Sequence, residues 1–333
     1  MLKKILNEIN LTFHIKATGP ILIKDGETDE ERDARKQKEG QSSPDMRFIV
    51  DATGKIFIPG SSIRGVWRSW CERIARTISG DVPLACDPFN DDPEDKINIS
   101  CSKRLEKKSP EEVYALSCPI CKLFGNTSLG SRIRISDAYI IDGDVHRDRL
   151  PIRDGIGIDR FTGGARSGAK FRYQYLIGKT FKTEIHIRNF ELWQIGLLGF
   201  LFRDFEEELV PIGFGKTRGL GKVKGTVEGA TLNFYGLNQP MVDETNKKAE
   251  VSGVGSLYTD SDKENYCFAI EEPLKDTEFD SLSKSIIRTT LRLNDSQANK
   301  LFKRAGDHWA TVRDGKPEGY YVVAQRARNE IAK

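Results

Sequence analysis

The chain has 333 residues, of which 38% are apolar and 30% are charged, so it is long enough for one large domain or two small ones with a buried core. No apolar run approaches the length of a membrane span, and the N-terminus is too interrupted by charge for a signal peptide, so we expect a cytoplasmic protein with no membrane partner. The net charge of +3 is too small to indicate a nucleic-acid partner by itself, so the distribution of charge along the chain has to decide.

The first part of the chain predicts a strand, a loop and a helix. Residues 9–23 (INLTFHIKATGPILI) are rich in β-branched and aromatic residues, which favours a strand. The polar residues that follow cannot pack into a core, so we assign residues 24–54 to a long mobile loop. A short strand over 55–59 then leads into IPGSSIRG and a helix that ends near Ile78. Apolar residues recur at helical spacing along it, at Ile63, Val66, Trp67, Trp70 and Ile74.

Ser61 and Ser62, at the start of this helix, have two interpretations. Either hydroxyl can cap the helix, because serine is a favoured N-cap residue. Alternatively, the unpaired N–H groups of a helix start after a glycine suit a phosphate. The sequence leaves both alternatives open.

Residues 81–125 form a polar, proline-containing segment that holds four of the six cysteines. These are Cys86, Cys101, Cys118 and Cys121, separated by 14, 16 and 2 residues. Four thiolates at this spacing can complete a tetrahedral structural zinc site, and the metal would help a segment with few apolar residues to fold. Disulfides are disfavoured in the cytoplasm, and the alternative is that the cysteines bind no metal. Cys71 and Cys267 are interpreted as buried or free thiols.

Two strands are predicted after the cysteines, over residues 132–142 and 179–189, because apolar and polar residues alternate there. Between them lies LPIRDGIGIDRFTGGARSGA, residues 150–169. Its glycines permit unusual turns and let a partner approach the backbone closely, and its arginines suit an anionic partner. Residues 147–172 carry seven Lys or Arg against three Asp. This hairpin is therefore predicted to lie against a nucleic-acid backbone.

An apolar helix is predicted over residues 190–209, followed by a final strand through Val223. Gly196 and Gly199 weaken the helix locally and permit close packing on a sheet. The order strand, helix, strand, strand, helix, strand predicts an α+β, ferredoxin-like (RRM-like) fold, with an insertion after the first helix and a long hairpin between the central strands. Many RNA-binding modules use this scaffold.

The glycine-rich loop before the last strand, PIGFGKTRGLGKVKG at residues 211–225, carries four Lys or Arg and no acid. It lacks the lysine-serine ending of a nucleotide-binding P-loop and does not open a helix, which disfavours that function. Its backbone amides, with Lys216 and Arg218, suit the phosphates of a single-stranded RNA. The alternative is a tight turn whose charges serve solubility.

Four motifs in this order resemble the RAMP superfamily of CRISPR-associated proteins, and more narrowly the backbone subunit of type III effector complexes. They are IPGSSIRG, CPICKLFG, GIGIDRFTGGARSGAKF and GFGKTRGLGKVKG, and the resemblance covers residues 6–227. It implies a palm over residues 1–228 that holds CRISPR guide RNA, and a thumb over 143–178 that intrudes into the guide and target duplex. The implied partners are guide RNA, target RNA and other CRISPR effector subunits. The residues expected to contact RNA are Ser61, Ser62, Arg64, Arg153, Arg160, Arg166, Lys170, Lys216 and Arg218.

In many members of this family, an aspartate in the loop before the IPGSS motif cleaves the target RNA with a divalent metal. The pattern places Asp45 near that position, with Asp51 as the rival. Because the RNA supplies its own 2′-hydroxyl as nucleophile, one carboxylate with Mg²⁺ or another divalent ion suffices once the strand is kinked into line. The alternative is a solvated loop aspartate, since some members of the family do not cut.

The last third of the chain, residues 229–333, is a C-terminal extension that the resemblance does not explain. Eleven acids face four lysines from Asn233 to Asp280, which would repel phosphates and favours a rim or a subunit contact. Helical patterns are predicted at 276–293 and 296–306. Two functions remain open: a target-cleaving backbone subunit, acting as a metal-dependent endoribonuclease within a complex, and a non-cleaving subunit that binds guide RNA and spaces its neighbours. An unrelated zinc-containing RNA-binding protein is a more distant third.

Overall fold

Antiparallel sheets organise the chain in a computed structural model, which describes residues 4–40, 43–236, 239–258, 268–269, 271–313 and 316–332. The strands in these residues are β1 (Asn7–Ala17), β2 (Phe57–Ile58), β3 (Ile133–Ile135), β4 (Ala138–Ile140), β5 (Ile152–Ile158), β6 (Ala165–Gln174), β7 (Thr180–Arg188), β8 (Val223–Tyr235), β9 (Val242–Asp243), β10 (Lys248–Val251), β11 (Leu274–Glu278), β12 (Ser281–Lys284), β13 (Arg288–Asn294), β14 (Thr311–Arg313) and β15 (Lys316–Glu318). The helices are α1 (Asp29–Glu39), α2 (Gly60–Thr77), α3 (Cys101–Arg104), α4 (Pro110–Leu116), α5 (Pro119–Phe124), α6 (Leu192–Glu206), α7 (Val254–Leu257), α8 (Asp295–Trp309) and α9 (Tyr320–Ala332).

The largest sheet has the strand order β12, β13, β8, β1, β7, β4, β2, and β3 also pairs with β7. Its centre is β1, which pairs antiparallel with β7 on one side and with β8 on the other. The two strands of the glycine-rich hairpin, β5 and β6, form a separate two-stranded sheet. The chain is therefore a mixed α and β protein built on antiparallel sheets, as the sequence predicted.

The main core lies between this sheet and the helices α2 and α6. Alternate residues of β1 are buried, among them Phe13, because successive side chains of a strand point to opposite faces. The Phe13 ring makes an edge contact with Trp67 of α2 at 5.3 Å and packs against Phe202 of α6 at the same distance. Helices α2 and α6 are thus fixed on one face of the sheet.

Helices α6 and α8 approach each other closely at two glycines of α6. A Cβ atom added at Gly196 would lie 2.1 Å from the carbonyl oxygen of Ala305, and one added at Gly199 would lie 2.4 Å from that of Phe302. The predicted role of these glycines in close packing is correct, but the partner is a helix of the C-terminal extension. The expectation of a sheet partner was wrong, because no local pattern in the sequence indicates that α8 packs on α6.

Gly60 of the IPGSS motif lies where α2 begins against the connection between β3 and β4. A Cβ atom at Gly60 would lie 2.3 Å from the carbonyl oxygen of Ile135, which is backbone and cannot move aside like a flexible side chain. We therefore expect Gly60→Ala to destabilise the protein by about 1–3 kcal/mol, as overpacking does. Gly65→Ala on the same helix is the matched control, since its added Cβ meets nothing within 4 Å.

The control should be neutral or should stabilise by about 0.5–1 kcal/mol, because alanine is the better helix former. Urea unfolding midpoints of both variants measure the difference. Equal stabilities for the two variants would contradict the close approach at Gly60.

Two segments differ from their predicted secondary structure. Part of the predicted loop 24–54 is the helix α1, in which Thr28 and Glu31 form a reciprocal capping box and every described side chain stays outside the core. The helix expected at 276–293 was wrong, because this stretch contains the end of β11, β12 and most of β13, and β13 pairs with β12 and β8 in the large sheet. The predicted helix at 296–306 is confirmed as part of α8.

In the described ranges, no helix has the combined length and apolar character of a membrane span.

Candidate nucleic-acid interface and metal centre

The four cysteines of the segment 81–125 converge in the interior. All four are buried, and their Sγ atoms lie within 4.8 Å of one another. The Sγ of Cys86 is 3.7 Å from the Sγ of Cys118 and 3.7 Å from that of Cys121. Zinc–sulfur bonds of about 2.3 Å in a tetrahedron separate the sulfur atoms by about 3.8 Å. The cluster therefore has the dimensions to hold a metal ion such as zinc.

Short helices place these thiols. Cys118 is the N-cap of α5, and its Sγ accepts the backbone N–H of Cys121 at 3.4 Å. Pro119 occupies the first position of α5, where its missing N–H costs nothing. Cys101 begins α3, and its Sγ accepts the N–H of Cys118 at 3.3 Å. The C-x-x-C spacing thus sets two thiols on one helical turn, as the sequence indicated.

Two arginines border the cluster and favour its thiolate form. Arg68 of α2 lies 3.6 Å from the Sγ of Cys121, and Arg104 lies 3.6 Å from the Sγ of Cys101. Hydrogen bonds from the other three thiols, that of Cys118 first, and the charge of Arg104 hold the pKa of Cys101 well below its ordinary value, whereas hydrogen bonds from neighbouring thiols, that of Cys101 first, raise the pKa of Cys86 and Cys121. A thiolate is the form that ligates a metal.

Cys71 and Cys267 are the two remaining cysteines of the chain. Cys71 is buried on α2, and burial raises the pKa of its thiol. This fits an inert, packed thiol. Cys267 lies outside the described residues.

The hairpin β5–β6 projects with most of its residues exposed. Arg160 and Arg166 lie exposed at and near its tip, beside the fully exposed ring of Phe161. Arg153 lies over the ring of Tyr175 at 5.0 Å, and Lys170 forms an ion pair with Asp154 at 3.0 Å. The hairpin therefore presents cations along its length, and one of them, Lys170, forms an ion pair within it.

The glycine-rich loop lies beside the base of this hairpin. Its centre is a 3-10 turn over Lys216–Arg218, flanked by two glycines in the left-handed region. The guanidinium of Arg218 is 5.1 Å from the ring of Phe171 in β6 and 5.8 Å from the ring of Phe214. Burial, and then the charge of Arg73, lower the pKa of Lys216. The loop and α2 thus bring cations together, an arrangement that a bound anion would stabilise.

The start of α2 lies next to the same loop. A cleft of about 180 Å³ is bounded on one side by Ser62 and on the other by Gly213 and Phe214. Ser61 and Ser62 are exposed in the first turn of the helix. The N-cap is Pro59, without a side-chain cap, so of the two alternatives for Ser61 and Ser62 the helix cap is excluded. The carboxylate of Asp137 accepts the N–H of Gly60 at 2.7 Å instead.

Arg64, expected to contact RNA, points toward the cysteine segment. Its guanidinium donates to the carbonyl oxygen of Phe124 at the end of α5. Burial, and then the charge of Arg68, lower the pKa of Arg64. This residue connects α2 to the cysteine segment, and its side chain is only partly accessible.

Asp45 lies at the base of the hairpin. Its Oδ2 accepts the backbone N–H of Arg172 at 2.7 Å, and its own N–H donates to the carbonyl oxygen of Arg172 at 2.8 Å. Lys36 of α1 donates to Oδ1 of the same carboxylate. Partial burial raises the pKa of Asp45, but the hydrogen bonds from Lys36 and Arg172 outweigh it and hold the pKa below its ordinary value. The carboxylate is therefore ionised at neutral pH and is a weak base.

Asp51, the rival, organises a turn. Its Oδ1 accepts the backbone N–H groups of Thr53 and Lys55 at 2.8 and 3.0 Å and the Thr53 hydroxyl at 2.7 Å. These hydrogen bonds, that of the Thr53 side chain first, lower the pKa of Asp51. The two aspartates therefore differ in their partners. Asp45 is hydrogen-bonded to Arg172 of the hairpin, whereas Asp51 accepts hydrogen bonds from Thr53 and Lys55 of its own turn.

The surroundings of Asp45 do not make a divalent-cation site in this conformation. Among the residues that the structure describes, the four cysteines are the one group of three or more clustered candidate metal ligands. Both oxygens of Asp45 are engaged, by Lys36 and by Arg172. The donor set thus does not fit the Mg²⁺ that the sequence motifs implied.

Sequence reasoning missed the aromatic and basic side chains that join these motifs. Phe171 and Phe214 lie inside the quoted glycine-rich motifs, but the predicted RNA contact was based on the glycines and cations of those motifs. Arg73 and Lys36 lie on helices, and only the tertiary contacts of α2 and α1 reveal their roles. An aromatic residue next to a glycine in a basic loop was the available signal.

The family model of the RAMP superfamily matches residues 14–224. This range runs from β1 to the start of β8 and includes the cysteine segment, the hairpin and the glycine-rich loop. No curated protein matches the chain. Because the match spans more than half of the sequence and contains all the motifs brought together above, the chain belongs to the RAMP superfamily.

Proposed function

We propose that the chain is a backbone subunit of a type III CRISPR effector complex that binds guide RNA and positions target RNA beside neighbouring effector subunits. RAMP superfamily membership supports a CRISPR-associated RNA-binding role. The observation that carries the proposal is the meeting of three basic or glycine-rich elements at one place, with Arg218 over Phe171 of the hairpin and Ser62 across a cleft from Gly213.

The proposed palm is ferredoxin-like and spans residues 1–228. Its support is the order of the central strands, in which β8 and β7 flank β1 and the short strands β3 and β4 follow beside β7. In the same proposal, 81–125 is the metal-binding insertion, 143–178 is the thumb, and 229–333 is the C-terminal extension. Since β8 continues to Tyr235 and pairs with β13, this extension adds strands to the sheet of the palm.

The proposed metal at the four cysteines is zinc in a structural role. Four buried thiols at tetrahedral spacing leave no open coordination position, which is typical of structural sites. When bound, zinc would cross-link the distant parts of the insertion. Arg68 and Arg104 would stabilise the thiolates from outside the cluster.

Target cleavage at Asp45 is the finer part of the proposal. The carboxylate lies where the hairpin meets the body of the protein, so a strand kinked by the hairpin would pass close to it. Its lowered pKa suits an ionised acceptor that holds a 2′-hydroxyl in line with the adjacent phosphate. The donor set around Asp45 does not fit a divalent ion, so the proposed role of this carboxylate does not depend on one.

We expect Asp45→Asn, tested in the assembled complex with guide RNA and labelled target, to reduce cleavage at one site by about 100-fold or more while guide binding is retained. Asparagine keeps an oxygen that can accept the N–H of Arg172, so the base of the hairpin is preserved. Asp51→Asn is the matched control and should cleave normally. Unchanged cleavage at every site in Asp45→Asn would refute the catalytic role, and loss of cleavage in Asp51→Asn alone would transfer it to the rival.

The non-cleaving subunit is the second candidate function. The observation that favours it is the ion pair between Lys36 and Asp45, which neutralises the carboxylate and occupies one of its oxygens. In that case neither aspartate variant would change cleavage by the complex. Guide binding would still depend on the surface around Arg218.

A further inference from the structure

The last helix, α9, is anchored to the cysteine segment by a buried arginine. Arg328 is 3% exposed. Its Nε donates to the carbonyl oxygen of Pro83 at 3.0 Å, and its Nη2 donates to that of Ile97 at 2.8 Å. Pro83 lies three residues before Cys86 and Ile97 lies four residues before Cys101. One guanidinium therefore joins the two stretches of chain that deliver two of the four thiols.

A second side chain of α9 repeats this contact one turn earlier. Gln325 Nε2 donates to the carbonyl oxygen of Val82 at 2.8 Å, and its Oε1 accepts the backbone N–H of Gly80 at 3.0 Å. The acceptors and donors on the cysteine segment are thus backbone groups. Their positions depend on how the segment itself is folded.

The first turn of α9 has a different anchor. The ring of Tyr320 stacks on that of Trp193 of α6, with centroids 4.2 Å apart and planes 7° from parallel. The Tyr320 hydroxyl also accepts Lys122 Nζ at 2.8 Å, and Lys122 adjoins Cys121 in the chain. The start of α9 is therefore fixed to α6 as well as to the cysteine segment, whereas the contacts of Arg328 are to the cysteine segment.

Among the side chains of α9 that the structure describes beyond its first turn, few apolar groups are buried. Ala324 is its small buried apolar residue, and the helix borders a cleft of about 230 Å³ that Lys122 and Arg328 help to line. The other side of this cleft is lined by residues 115–122 of the cysteine segment. Residues 81–100, which supply both acceptors of Arg328, have no regular helix or strand. Because the described part of α9 beyond its first turn buries so little apolar surface, its docking depends on the geometry of these carbonyl acceptors.

We propose that metal binding by the four cysteines and docking of α9 are coupled, so that α9 is a strap that holds when the metal is bound and is released when it is lost. The inference rests on the proposed metal centre. The metal fixes the stretches that carry Pro83 and Ile97, and those stretches offer Arg328 its two acceptors. By linkage, docking of α9 must strengthen metal binding by the same factor.

Hydrogen exchange on the full-length wild-type chain, zinc-loaded and after removal of zinc with a chelator, tests the first half of the coupling. We expect removal to lower the protection of amides in the second half of α9 by about 5- to 150-fold, the usual range of a coupling factor. Helix α8 is the internal control, because it packs on α6 and should keep its protection.

Zinc affinity of the full-length chain, measured by chelator competition, tests the reciprocal half. Arg328→Met keeps the helix and its apolar stem but removes both hydrogen bonds, and we expect it to weaken zinc binding by about 5- to 150-fold. Arg326→Met is the matched control on the same helix, because Arg326 is exposed, and its affinity should equal that of the wild type.

Three results would overturn the coupling. Protection of α9 that survives zinc removal, while residues 81–125 lose theirs, would refute the strap and leave the metal centre standing. Equal loss of protection in α8 would indicate global unfolding instead. A purified chain that binds no zinc would refute both the metal centre and the strap. The wild-type exchange experiment needs no variant, so a folding defect of Arg328→Met cannot obscure the result.

Discussion

Replacing Cys118 and Cys121 together by serine is expected to abolish zinc binding and to unfold the cysteine segment. Structural zinc binds zinc-finger peptides with an apparent free energy of about 10–16 kcal/mol at neutral pH. That is comparable to the entire stability of an ordinary domain, about 5–15 kcal/mol. In the wild-type chain the two thiols lie in the buried cluster with Cys86 and Cys101. Their loss would leave that interior without its cross-link.

The rest of the molecule should survive this change. The sheet, α2 and α6 are joined by ring contacts among Phe13, Trp67 and Phe202, and none of these contacts involves a cluster thiol. We therefore expect limited proteolysis to cut within residues 81–125 of the double variant while the sheet remains intact. Metal analysis of the purified variant measures the lost zinc directly.

Cys71→Ala is the matched control for this experiment. Cys71 is as buried as the cluster thiols but lies on α2 as a separate thiol. The variant should lose only a little packing and should keep its zinc. Stoichiometric zinc in the double serine variant would contradict the assignment of the metal centre, and so would wild-type protein without zinc.

The cysteine cluster shows which features the sequence predicts well. Ligand spacing is a local property of the chain, and a C-x-x-C on a helical turn brings two thiols together whatever the rest of the fold does. The same holds for the alternating strands β1, β7 and β8, whose pattern follows from one buried face. In each case the signal lies in a short stretch of sequence.

The errors occurred where the outcome depends on a tertiary partner. Ser61 and Ser62 resemble helix caps, but Asp137, more than seventy residues later, binds the first N–H of the helix. The assignment of Arg64 to RNA stays a prediction, and its sequence motif gave no sign that its guanidinium donates to the carbonyl oxygen of Phe124 in α5. A motif indicates which polar side chains and backbone groups are present. Contacts with residues far along the chain determine which of these groups stay accessible.

The helix α1 is a different kind of error. Its sequence is almost wholly polar, so it lacks the apolar stripe by which helices are usually predicted. Its stability comes from the Thr28 capping box and from ion pairs such as that of Arg35 with Glu27 at 2.7 Å. Composition alone made this segment look like a loop.

The second large effect is expected at the glycine-rich loop, where Lys216→Ala with Arg218→Ala should weaken guide-RNA binding and flatten its salt dependence. Each phosphate contact with a single strand contributes about 0.7 to the slope of log affinity against log salt, so the loss of two contacts should reduce the slope by about 1.4. Titrations of the protein with guide RNA at several salt concentrations measure both quantities. Lys275→Ala with Lys303→Ala is the charge-matched control, because both lysines are exposed and lie outside the family-matched region.

A single change at Arg218 separates charge from shape at this surface. Arg218→Lys keeps the positive charge but loses the planar guanidinium that lies over Phe171 and Phe214. If this stacked arrangement orients the guanidinium toward the RNA, the lysine variant should bind more weakly with an unchanged salt slope. An unchanged slope in the double alanine variant would refute phosphate contact by the loop. Full affinity in Arg218→Lys would instead mean that charge alone acts there and that the aromatic neighbours of Arg218 serve only the packing of the hairpin base.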